Sequence, residues 1–147
     1  MNIFILDDDP IQSATYHADK HISKMILESA QMLSTVLGGP YKPTHANHPC
    51  TLWTGRSRQN ALWLWTLAMA LNAEYRERYN KNVDHKSWSA IETLWKDFNR
   101  LPDDGLTPFA QAMPDQYKDP DPVKAYRAYY LSKPFVAWRN GAPGWAQ

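Results

Sequence analysis

The sequence predicts a mainly α-helical chain: one domain over residues 1–147, with three to four helices packed round a central Trp-rich helix and a short extended N-terminus. Three observations predict it. Over Tyr16–Leu37, YHADKHISKMILESAQMLSTVL, apolar residues recur at the period of a helix with one polar face. Ala61–Leu71, ALWLWTLAMAL, is apolar nearly all round, as a buried central helix is. Gly38-Gly39-Pro40 separates the two and stops the first.

Taken in order, Asn2–Leu6 is a short apolar run, a strand or an extended lead-in, closed by Asp7–Asp9 and Pro10. The helix Tyr16–Leu37 follows. Tyr41–Cys50, YKPTHANHPC, reads as loop, with two prolines, an Asn and two His in that span. A second helix runs over Ser57–Tyr79, its end EYRERYNKN turning polar and basic. Ser89 and Glu92 have capping-box spacing, Ser87 is an equally good cap, and a third helix is predicted to reach Phe98. In the long loop beyond, Thr107-Pro108 and Asp121-Pro122 both read as an N-cap followed by proline at the first helical position. The first predicts one or two turns ending before Pro114, the second a fourth helix over Pro122–Ser132. Pro134 ends that helix, and FVAWRNGAPGWAQ is a tail whose two Trp are expected to dock back.

Composition narrows the function classes. The N-terminus has no basic n-region and Ala61–Leu71 is too short to span a bilayer, so a cytoplasmic, monomeric protein without a membrane partner is expected. One cysteine, Cys50, excludes an internal disulfide and a Cys-rich zinc site; it reads as a small packed thiol. Sixteen Lys+Arg against 15 Asp+Glu give a net charge of +1, so no global basic field drives DNA binding and any such role requires segregated charge. Aromatic content of 13%, with seven Trp and eight Tyr, serves either a small core or stacking on flat ligands.

The polar face of the first helix is the candidate site. At about 100° per residue, His17, His21, Lys24, Glu28, Gln31 and Thr35 fall within an arc of roughly 80°. Such a stripe either faces solvent, with a Lys24/Glu28 pair at i,i+4, or lines a cleft. Glu28 is the best candidate for a general acid/base. Lys24 is a Schiff-base amine if desolvated, and otherwise an ion-pair or phosphate partner. His17 and His21, at i and i+4, have a spacing that lets two imidazoles share a metal, with His45 and His48 as further donors. No HExxH motif is present, and a hydrogen-bonded cluster is the commoner outcome. Lys124–Lys133, KAYRAYYLSK, interleaves Tyr126, Tyr129 and Tyr130 with Lys124, Arg127 and Lys133; this suits nucleic acid, or equally an amphipathic helix with its tyrosines inward.

The order of these pieces resembles the pyrimidine-dimer DNA glycosylase family of the endonuclease V type. Its members carry a His and, seven residues on, the catalytic Glu on a first helix, and His21 and Glu28 have that spacing. NHP at Asn47–Pro49 matches the family's Gly/Asn-His loop, ALWLWTLAMALNAEYRERYNKN its long apolar helix, and AYRAYY its Tyr-rich basic segment. The chain also resembles a group of small phage proteins with HxxKMxxExxQ and KPTHxNHP. The resemblance implies base excision on DNA with lyase chemistry. A primary amine, the chain's own N-terminus, attacks C1′ of the damaged nucleotide, and the Schiff base permits β-elimination with Glu28 as acid/base. The nucleophile is then the Met1 amine or, failing that, Lys24; His21 and His48 place substrate or phosphate. His17, Gln31, His45, Arg56, Tyr126, Arg127 and Tyr130 complete the substrate side. The chain departs from the pattern in two respects. Asn2 is larger than residues after which an initiator Met is usually removed, which puts the amine on Met1, and the arginines flanking the Glu of the phage type are here Leu27 and Gln31. No cofactor is expected. The residues leave three other functions open: an enzyme of the same fold acting on modified bases or free nucleotides, a metal-dependent hydrolase using His17, His21 and His45, and a non-catalytic binding module.

Overall fold

Four of the six helices start where a side chain takes the first free N–H, and three of those four continue into proline. The computed structural model describes all 147 residues. After the extended, buried N-terminal segment, Asp9 caps α1 (Pro10–Tyr16) by accepting from the Ile11 N–H at 3.0 Å. His48 Nδ1 accepts from the Cys50 N–H at 3.1 Å and opens α3 (Pro49–Gly55). Ser57 opens α4 (Arg58–Arg78), and Asp121 opens α6 (Pro122–Leu131). The first helix of the stripe, α2 (Asp19–Leu37), has no side-chain cap. Its Asp19 N–H is instead taken at 2.9 Å by the Ala137 carbonyl of the C-terminal tail. At the other end Gly38 closes α2 with φ at 70°, a left-handed backbone that glycine adopts without strain.

The protein is mainly helical and has no strands, as the sequence predicts, but it has more helices than three or four. The stripe helix begins at Asp19, not Tyr16, because the chain turns at His17 and Ala18 and α1 precedes it. Part of the predicted loop Tyr41–Cys50 already belongs to α3. The third predicted helix is broken: α5 (Trp88–Ile91) passes into a 3-10 stretch over Leu94–Arg100. Ser89 makes no capping box; its hydroxyl donates to the Lys86 carbonyl. Thr107-Pro108 opens no helix. Asn60 Oδ1 accepts from the Thr107 N–H at 3.0 Å and Asn60 Nδ2 donates to the Thr107 hydroxyl oxygen at 2.7 Å, so the oxygen that would cap a turn is engaged elsewhere.

The core forms between α2 and α4. Ile22, Ile26, Leu33 and Leu37 of α2 join Trp63, Leu64, Leu67, Ala68 and Leu71 of α4 in one buried cluster. Ile3–Leu6 threads into the same cluster, fixed where the Ser13 hydroxyl donates to the Phe4 carbonyl and accepts from the Leu6 N–H. Tyr126 and Tyr130 of α6 are fully buried and meet Phe4 edge-on, at 5.9 and 5.2 Å between ring centroids. The tail docks back as expected: Trp138 Nε1 donates to the Tyr16 carbonyl at 2.8 Å, and Trp145 meets the Tyr16 ring edge-on. No helix is long and apolar enough to cross a membrane. What this packing accomplishes for function is to bring the first residues of the chain, the middle of α2 and the end of α6 together.

Candidate functional site

Glu28 is one turn beyond Lys24 on α2, and its side chain is only 10% exposed. Its Oε1 accepts from the Asn2 N–H at 2.9 Å and lies 3.6 Å from the Met1 amine. Its Oε2 lies 3.9 Å from Lys24 Nζ, whose side chain is 64% exposed. One carboxylate therefore faces two primary amines, one held by the fold and one on an exposed stem.

The N-terminus is held there through Asn2. Its side-chain oxygen accepts from the Tyr126 hydroxyl at 2.9 Å and from the Ile3 N–H at 2.8 Å, and its amide donates to the Ala112 carbonyl at 2.9 Å. The Cys50 thiol approaches the same oxygen at 3.5 Å, and burial pushes that thiol up to about 11. Cys50 is thus the packed thiol that the sequence predicts.

His21 is buried and lies on the Phe4 ring, 4.6 Å between centroids. The Tyr130 hydroxyl accepts from the Ala18 N–H at 2.7 Å and lies 3.0 Å from His21 Nδ1. With the phenol donating its one proton to Nδ1, the imidazole proton is on Nε2. Burial holds the His21 pKa down at about 3, and positive charge at His17, Lys133 and Lys24 acts in the same direction. His21 is a neutral imidazole at physiological pH. Burial also lowers the pKa of half-buried His48; the Met1 ammonium and His45 push the same way and Glu28 opposes them, which puts His48 within the field of the amine–carboxylate pair.

Met1, Asn2, Phe4, His21, Lys24 and Glu28 line a pocket of about 190 Å³ together with Tyr129, Lys133 and Phe135. A wider groove of about 600 Å³ runs along Pro49, Leu52, Trp53 and Arg56 to Thr107 and Ala110, but it gathers one cation and no carboxylate. The smaller pocket is the candidate site because the groups able to exchange protons converge there.

Of the residues singled out in the sequence, Met1, His21, Lys24 and Glu28 come together in this pocket. Gln31 remains on the α2 stripe, half-exposed and outside the pocket lining, and His45 is exposed on its loop with φ at 49°. Arg56 lines the wider groove. His17 is not on the stripe: it ends α1, is fully buried, and donates from Nδ1 to the Ser13 carbonyl at 2.7 Å. His17 and His21 ring centroids are 6.5 Å apart, and no three His, Cys, Asp or Glu side chains converge as a metal set would. Tyr126, Tyr130 and Arg127 support the pocket from behind. Both tyrosine hydroxyls are spent on Asn2 and His21, and burial raises their pKa values. Arg127 donates to the Leu6 carbonyl and to Asp7 and lies over Tyr16 and Trp145. The C-terminal residues that do line the pocket, Tyr129, Lys133 and Phe135, were visible in the sequence only as a basic, aromatic stretch without facing.

The buried imidazoles make the fold acid-sensitive. Burial lowers His17 to about 4 and His21 to about 3 from an ordinary 6.5. Between those values the unfolded chain binds the extra protons, so stability is complete above the unfolded pKa and is lost as pH falls. Near about pH 5 each histidine is expected to cost about 2 kcal/mol. Urea unfolding at neutral and mildly acidic pH checks this. His17→Gln should remove about half of the pH dependence; an undiminished dependence would show that His17 is not its source.

The helical scaffold thus holds a chain-terminal amine against a buried carboxylate, with a neutral imidazole beside them. The family whose model is described as pyrimidine dimer DNA glycosylase matches residues 1–87, and the chain belongs to that family. The matched span contains Met1, His21, Lys24, Glu28 and His48, and ends before α6. No curated protein and no solved structure matches the chain.

Proposed function

We propose that this member of a DNA glycosylase family works through an amine, with the Met1 α-amino group as nucleophile and Glu28 as acid/base. The observation that carries the reading is the 3.6 Å approach of the Met1 nitrogen to Glu28 Oε1 in a pocket with His21. α-Amines as a class titrate near ~7.8 and lysines near ~10.4. As a class, therefore, N-terminal amines present far more neutral nucleophile at physiological pH than solvated lysines do.

In the lyase half, the amine adds to C1′ of the ring-opened sugar and water departs, leaving an imine. Glu28 takes a proton from the attacking nitrogen and passes it to the oxygen that departs as water, which returns Glu28 to its carboxylate form. It then receives a proton from C2′, the C3′–O bond breaks, and the 3′ phosphate leaves with the bonding electrons. A carboxylate within reach of the amine serves both transfers. Neutral His21 offers Nε2–H as a hydrogen-bond donor without adding charge that would repel an iminium.

Borohydride reduction tests this directly. The protein is expected to be trapped covalently on duplex DNA carrying an abasic site. Acetylating the N-terminus should abolish the adduct, while Lys24→Ala should leave it. Absence of any adduct would sink the amine mechanism, and an adduct lost only in Lys24→Ala would move the nucleophile to Lys24.

A further inference from the structure

Lys133 is a cation without a carboxylate. It follows α6, lines the candidate pocket, and forms no salt bridge, whereas every other amine there faces Glu28. Three rings hold its ammonium: Tyr129 at 4.4 Å, Phe4 at 5.6 Å and Phe135 at 5.9 Å from their centroids. Ring faces attract an ammonium but do not neutralise it. They restrict a flexible stem while leaving the charge available, which a carboxylate partner would not. The Met1 amine, Lys24 and Lys133 share a pocket whose lining holds one carboxylate, Glu28, and Lys133 is the amine that does not reach it. With His21 neutral, the chemistry calls for an anion, and Glu28, engaged by Asn2 and the two amines, does not supply it to Lys133.

We propose that Lys133 is the phosphodiester contact of this pocket, binding a DNA backbone phosphate next to the sugar that faces Glu28, with the Tyr129 and Phe135 rings as the wall against which that nucleotide lies. The assignment rests on the reading of the pocket as the DNA-acting site. It also gives the segment beyond the family-matched span a function that Tyr126, Arg127 and Tyr130, turned inward, do not perform.

Equilibrium binding of the whole protein to a duplex containing a tetrahydrofuran abasic analogue, followed across a salt series, tests it. The analogue has no aldehyde, so the result is independent of imine formation. Lys133→Met is expected to weaken binding roughly tenfold at moderate salt and to lower the slope of log Kd against log salt by about one. Lys133→Arg should restore the slope. Loss of packing on the rings would lower the melting temperature but would not remove one counterion from the slope, which separates the two roles. If Lys133→Met does not fold, Lys133→Gln is the second neutral variant. An unchanged slope in a folded neutral variant would overturn the contact while leaving the amine mechanism intact. Failure of borohydride trapping in the wild type would do the reverse. Binding of a free deoxynucleoside monophosphate that depends on Lys133, with duplex binding unaffected, would overturn the backbone assignment in favour of a nucleotide phosphate.

Discussion

Glu28→Gln is expected to slow β-elimination on abasic DNA by about 10²–10⁴-fold, the range over which a positioned acid/base contributes, while duplex affinity stays close to wild type. The substitution isolates proton transfer from architecture. A glutamine keeps the side-chain oxygen that accepts from the Asn2 N–H, so the N-terminus remains anchored, with Tyr126, Ala112 and Ile3 holding Asn2 from its other side. What is lost is a group able to take a proton from C2′ beside the amine. Single-turnover rates at saturating enzyme measure that step without product release. A rate within a few-fold of wild type would remove Glu28 from the chemistry and leave it as an anchor for the N-terminus.

The largest stability loss is expected from Arg78→Met. Arg78 ends α4 with its side chain only 4% exposed, and four acceptors converge on its guanidinium. Nη1 donates to the His17 carbonyl at 2.5 Å and Asp19 at 3.1 Å; Nη2 donates to the Thr15 carbonyl at 2.7 Å and Glu74 at 2.9 Å. The turn between α1 and α2 is therefore clamped from across the protein. Removing one partner of a buried ion pair costs about 3–5 kcal/mol, because the remaining groups stay buried without compensation. For a chain of this length that corresponds to a fall in melting temperature of roughly 10–15 °C. Arg78→Lys should recover only part of it, since one ammonium lacks the planar fork that serves four acceptors. A loss below about 1 kcal/mol in Arg78→Met would show that the turn is held elsewhere.

Much of this was legible in the sequence. Periodicity alone identifies the apolar face of α2 and the buried α4, because burial on one side of a helix leaves its mark every three to four residues. Asp121-Pro122 announces α6 because capping is a local hydrogen bond. The seven-residue spacing of His21 and Glu28 places both on one helix face two turns apart, so the core of the candidate site follows from helix geometry.

What the sequence left open is whatever depends on a partner distant along the chain. His48-Pro49 has the proline of the Asp121-Pro122 signal without a usual N-cap residue before it, and α3 is too short for periodicity to reveal it. Thr107-Pro108 carries the full signal, and there Asn60, 47 residues away, engages the oxygen a cap would use. His17 has the angular position of a stripe residue, but α2 starts only at Asp19, where the Ala137 carbonyl and the Arg78 clamp set the turn. In α6 the pattern shows tyrosines among cations without saying which face is inward. Burial of the Tyr126 and Tyr130 hydroxyls on Asn2 and His21 decides it, leaving Tyr129 and Lys133 to face the pocket. The chain by itself determined its long helices, α2 and α4, and the carboxylate that α2 presents. Tertiary packing decided which terminal amine that carboxylate meets and which further cation shares its pocket, because those groups lie 27 residues before Glu28 and 105 after it and come together only when the core closes.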